Sequence, residues 1–152
     1  MSDKNADLLQ DLMLIASDSA TFYRAASDAT ELPFLKDEFA GMAKVKDELI
    51  CELSKHIAAR GETPESGGSF AGSLRNAYTE VLAALSQRPA ANYTYAAQLE
   101  ETEDRLLRHL DQALVETDSM AVRAALLTEL PKLRESHAQM QRLKETLSTT
   151  AS

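Results

Sequence analysis

The chain has 152 residues, 44% hydrophobic and 26% charged, with five Gly, four Pro and no Trp, which is enough for one domain with its own core. Sixteen basic against 24 acidic residues leave a net charge of −8. With no Lys/Arg cluster, that balance argues against nucleic acid and against an anionic membrane surface. The richness in Ala, Leu and Glu favours helix.

The first predicted helix spans about Asn5 to Asp28, where Leu8, Leu9, Leu12, Met13, Ile15, Ala16, Phe22, Tyr23 and Ala26 recur at three and four residues and so share one face. Thr30-Glu31-Leu32-Pro33 breaks it, and Pro33 is placed to open the second helix. That helix runs from about Pro33 to Arg60 and stops at Gly61. Its stripe is Phe34, Leu35, Phe39, Met42, Ala43, Leu49, Ile50, Leu53 and Ile57. Cys51 lies in this apolar stretch and is expected to be a small core residue. Being the only cysteine, it rules out an intrachain disulfide.

Gly61-Glu62-Thr63-Pro64-Glu65-Ser66-Gly67-Gly68-Ser69 is the one turn-rich run and the expected long crossing loop. A short helix follows from about Phe70 to Ser86, and Arg88-Pro89-Ala90 interrupts it. The next helix covers about Ala91 to Glu116 and turns Tyr95, Leu99, Leu106, Leu110, Ala113 and Leu114 inward. Asp118 or Ser119 is the expected N-cap of a last helix, about Met120 to Leu147. Pro131 falls inside that helix, where its missing N–H should kink or locally break it. Four helices near 25 residues, each ~35–40 Å long, plus one short helix in the central connection predict an all-α four-helix bundle filling residues 1–152.

No basic leader, and no apolar run near the ~20 residues of a membrane span, gives a cytoplasmic protein as the expectation. Met13, Phe22, Tyr23, Phe34 and Phe39 form more apolar bulk than one narrow seam needs. They either fill the core or cover the face of a homodimer, the expected assembly.

Several stretches carry a resemblance. Tyr23-Arg24-Ala25-Ala26 in the first helix, the Gly61–Ser69 run, Ala71-Gly72-Ser73-Leu74-Arg75-Asn76-Ala77-Tyr78, Glu100 with Glu103 and Asp104, and His137 with Met140 and Leu143-Lys144 together resemble a bacterial ferritin-like, rubrerythrin-like four-helix-bundle family of unknown function. The likeness covers nearly the whole chain and departs at Tyr78, where Trp is expected. It implies a ferritin-like fold with a long crossover holding a short extra helix, and it brings no activity with it.

A ferritin-like di-iron site takes a Glu from each of two helices and Glu-x-x-His from each of the other two. That spacing is missing: the residues three before His56, His109 and His137 are Leu53, Leu106 and Arg134. Laid on the rubrerythrin-like pattern, Lys46 and Leu49 stand where Glu and His would be, Asp18 takes the Glu position of the first helix and Glu103 that of the third. The resemblance therefore implies a buried polar centre of Asp18, Lys46, Glu103, Arg134 and His137, with Asp18–Lys46 and Glu103–Arg134 ion pairs replacing the metal. No cofactor is expected, and an enzymatic role is disfavoured.

Two alternatives stay open at this point. Asp18, Lys46 and Arg134 could all lie on ordinary solvated faces. A degenerate metal site of oxidase or storage type could use Asp18, Glu48, Glu103 and His137, although Glu48 faces about 100° from Leu49 on a helix. A phosphotransfer module acting through His56 or His109 is more remote, since the basic residue after His56 falls at four rather than three.

Overall fold

The computed structural model describes residues 3–64 and 91–150. These form four helices: α1 Lys4–Ala29, α2 Pro33–Ala59, α3 Ala91–Glu116 and α4 Met120–Thr150. There is no strand among the described residues. The short helix expected over 70–86, and the crossing run from Glu65 onward, lie outside them. None of the four helices is long and apolar enough to cross a membrane.

Local chemistry sets the ends. The Asp3 carboxylate caps α1 by accepting the Asn5 backbone N–H at 3.0 Å. Pro33 opens α2. The same helix closes with Gly61 at φ 78°, its N–H donating to the Ala58 carbonyl and that of Glu62 to the Ile57 carbonyl, the paired bonds of a glycine-terminated helix. Of the two expected caps for α4, Ser119 is the one used: its hydroxyl accepts the Val122 N–H at 3.2 Å. α4 is not broken at Pro131. The helical donor that proline denies to the Leu127 carbonyl is lost on a solvent-exposed side, where both residues sit and water can replace it.

The α1–α2 and α3–α4 hairpins pack side by side. α1 also lies along α3, while α2 and α4 touch sparsely and α2 and α3 form a diagonal. At one end of the bundle Arg60 grips Asp3 through Nε at 2.6 Å, and the Asn5 amide donates to Asp118 at 2.7 Å. Phe22, Phe39 and Tyr95 meet at the other end. The start of α1 thus neighbours the ends of α2 and α3. It follows that α2 and α3 run in one direction, antiparallel to α1.

Two apolar clusters stack along the axis. The first joins Leu9, Leu12, Leu49, Leu53, Leu106, Leu110, Leu126 and Leu130; the second joins Phe22, Phe39, Met42, Tyr95, Leu99 and Met140. Each such side chain stabilises by about 1.5–3 kcal/mol when fully buried. Met13, Phe22, Tyr23 and Phe39 are core residues, whereas Phe34 is 52% exposed. Cys51 is exposed, contrary to expectation. It stands two residues from Leu49 and from Leu53, close to the opposite side of the helix from the stripe those leucines define.

Candidate polar centre of the bundle

Between the two clusters the apolar stripes are interrupted at one height. α1 places Asp18 and Ser19 there, between Ala16 and Phe22; α2 places Lys46 between Ala43 and Leu49; α3 places Glu103 between Leu99 and Leu106. All four are buried, Lys46 and Glu103 completely. Lys46 Nζ stands 2.7 Å from Glu103 Oε1. The Tyr23 hydroxyl donates to the same oxygen at 2.6 Å, and the Lys46 ammonium lies 5.7 Å from the centre of the Tyr23 ring. Glu103 Oε2 has no hydrogen-bonding partner among the described residues.

Burial is the stronger influence on Lys46 and draws its pKa below the usual lysine range, while the Glu103 charge and hydrogen bond pull it back up. One turn or more toward the second cluster, the Tyr95 hydroxyl is buried without a hydrogen-bonding partner among the described residues, and burial raises its pKa.

The pairing differs from the expected one. Lys46 takes Glu103 as its ion-pair partner rather than Asp18, and Arg134 is exposed on α4, outside the centre. The rotation of α4 explains this. Leu130, Leu133, Ser136 and Met140 point inward, so the residue after Leu133 is carried about 100° away into solvent. His137 sits at the flank of that stripe, half-buried, with Nε2 3.3 Å from Glu100 Oε1 and 4.0 Å from Asp104 Oδ1. Glu48 is exposed. Asp18, Glu48, Glu103 and His137 therefore do not converge, and no group of three or more His, Cys, Asp or Glu side chains among the described residues is placed to hold a metal ion.

Tyr23 and Ser19 are the members that sequence reasoning missed as part of the centre, and Tyr23 is the one that bonds Glu103. The signal was present: a tyrosine on an apolar stripe buries its ring but needs a partner for its hydroxyl, and the interrupted stripe of α3 offers one. A second polar cluster ties the hairpins at the bundle end. Arg60 holds both Asp3 carboxylate oxygens through Nε and one terminal nitrogen and reaches Ser119 with the other at 3.4 Å, while Thr117 donates to the Asn5 side-chain oxygen. Its bonds are mutual and close to solvent, which is the character of a structural clamp.

No curated protein and no solved structure matches this chain. One family does: residues 4–116 match a domain of unknown function, DUF2383. The matched stretch contains Asp18, Tyr23, Lys46 and Glu103, and it stops before α4 with Arg134 and His137. Since the match covers most of the chain, the protein belongs to the DUF2383 family.

Proposed function

We propose that this protein is a non-enzymatic ferritin-like bundle that acts through binding, its centre closed by its own lysine where ferritin-like proteins hold metal ions. Two lines support the fold assignment. The helix directions, with α2 and α3 running together and α1 opposed to both, are those of a bundle whose middle connection is a long crossover. The polar residues at the waist come from successive helices at one height, as the ligands of a bundle site do.

The observation that carries the functional reading is the 2.7 Å contact of Lys46 with Glu103, both shut away from water. Glu103 is a fully buried carboxylate at this height. Its charge is already met by an ammonium group and a phenol. A dication brought into the same low-dielectric space would be repelled by the ammonium, and hard cations want several anionic or neutral oxygens. The residues present do not fit a di-metal centre. Solvent reaches neither Lys46 nor Glu103, so no substrate group meets them in this structure.

Elemental analysis of protein purified without chelator tests the reading. Iron, manganese and zinc far below one atom per chain are expected; a stoichiometric metal that survives dialysis overturns it.

A further inference from the structure

α2 and α4 are neighbouring helices that barely touch, and no other described helix fills the seam between them. A cavity of about 560 Å³ lies between the Glu48–His56 stretch of α2 and the Ala121–Lys132 stretch of α4. A second, of about 430 Å³, lies beside Phe34, Gly41 and Gln139. A narrow space walled by Val45, Glu48, Glu129 and Lys132 joins them into one groove along the bundle.

Its surface has two properties that no contact among the described residues explains. The first is smallness: Ala121, Ala124 and Ala125 from α4 and Gly41 from α2 leave the helix backbones open to close approach. A glycine in mid-helix costs about 0.5–1 kcal/mol against alanine. A Cβ at Gly41 would meet nothing within 4 Å, so no neighbour among the described residues requires its absence. The second property is charge. Asp37, Glu38, Glu48, Glu52 and Glu129 line the groove against Lys132 and His56. Glu52 and Glu129 are paired with Lys55 and Lys132, and Glu38 accepts from Gln139. Asp37 and Glu48 have no ion pair among the described residues. Phe34, 52% exposed, stands at one end.

We infer that the α2–α4 groove docks a basic amphipathic helix of a partner protein. Its apolar side chains lie on the glycine and alanine floor and against Phe34, and its Lys or Arg side chains reach Asp37 and Glu48, a helix-in-groove mode of recognition. A second copy of this chain fits less well. Two such grooves meeting would set carboxylates against carboxylates in molecules that each carry a net charge of −8. The inference rests on the reading that the bundle works by binding.

The test uses the full chain and a labelled synthetic peptide of about 20 residues, long enough for the groove, with Leu at helical i, i+3, i+4, i+7 positions and Lys elsewhere. Its controls are a scrambled peptide of the same composition and a counterpart with Glu for Lys. Fluorescence anisotropy is expected to show 1:1 binding of the amphipathic basic peptide above both controls. The double substitution Gly41→Gln and Ala124→Gln, at two exposed positions, is expected to weaken it about tenfold or more while circular dichroism stays unchanged. Equal binding of the scrambled peptide, or unimpaired binding by the double variant, overturns the inference. So does light scattering that shows a dimer split by the double variant, because the occupant is then a second copy. None of these outcomes touches Lys46 or Glu103, so a failure here leaves the metal analysis to stand or fall separately.

Discussion

Lys46 Nζ and Glu103 Oε1 stand 2.7 Å apart although α2 and α3 are the diagonal pair of the bundle. The lysine side chain spans the waist of the molecule to reach a carboxylate on the helix diagonally opposite its own. Replacing either partner alone strands the other in the interior, which costs about 3–5 kcal/mol. Replacing both with apolar groups removes the stranded charge, although the Tyr23 hydroxyl then loses its Glu103 acceptor. In urea unfolding, Lys46→Met and Glu103→Gln are each expected to be strongly destabilised, and Lys46→Met with Glu103→Leu to lose far less than the sum of the two. Additive losses would refute a coupled pair.

Tyr23 and Tyr95, both buried, should answer oppositely to loss of their hydroxyls. Tyr23 donates to Glu103, so Tyr23→Phe removes a charge-assisted bond and should cost about 1.5–3 kcal/mol. The Tyr95 hydroxyl is buried without a partner among the described residues, so Tyr95→Phe should be neutral or stabilising. Thermal unfolding of the two variants, compared side by side, checks both.

The clamp at the bundle end predicts an acid response. The Arg60 hydrogen bond holds the Asp3 carboxyl below its usual range, and the Asn5 amide does the same for Asp118. A depressed folded-state pKa means that the stabilisation is fully present above the unfolded value near 4 and is lost as pH falls through the folded one. Arg60→Gln should therefore lower stability at neutral pH and flatten its decline as pH falls below the unfolded value near 4. An unchanged slope of the urea midpoint against pH would count against the clamp.

Two glycines give a conformational contrast. Gly61 has φ 78°, so Gly61→Ala should destabilise by about 1 kcal/mol. Gly41 is in ordinary helix with free space around it, so Gly41→Ala should stabilise by about 0.5–1 kcal/mol. Chemical denaturation of both variants settles the signs.

Cys51, exposed on α2, should react with a thiol-specific chromogenic reagent in the native protein, one equivalent per chain. Cys51→Ser should change stability by no more than about 0.5 kcal/mol. A thiol that reacts only after denaturation would place it back in the core.

The helices were legible because periodicity and end signals agreed. Pro33 is the first residue of α2, Gly61 follows two residues after its last, and Ser119 marks the start of α4. Burial was legible where a whole stripe voted, as for Leu49, Leu53 and Ile57. Cys51 was misjudged because its chemical type was weighed above its angular position. In the centre, the interruptions of the stripes at Asp18, Lys46 and Glu103 could be seen one helix at a time. Which interruption meets which could not, because pairing depends on the rotation of each helix about its axis. A rotation of α4 by a fraction of a turn is all that separates an inward Arg134 from the observed inward Leu133.

The diagonal reach of Lys46 bears on how the chain assembles. Each hairpin is built from contacts between helices adjacent in sequence and can form early, whereas the charges on α2 and α3 meet only when the hairpins come together. Leucine-rich faces tolerate sliding by a turn with modest loss. A buried ammonium and a buried carboxylate do not, for a slip of one turn, ~5.4 Å, would leave each facing hydrocarbon. The pair thus acts as a registration pin, rejecting misaligned dockings that the greasy surfaces alone would accept.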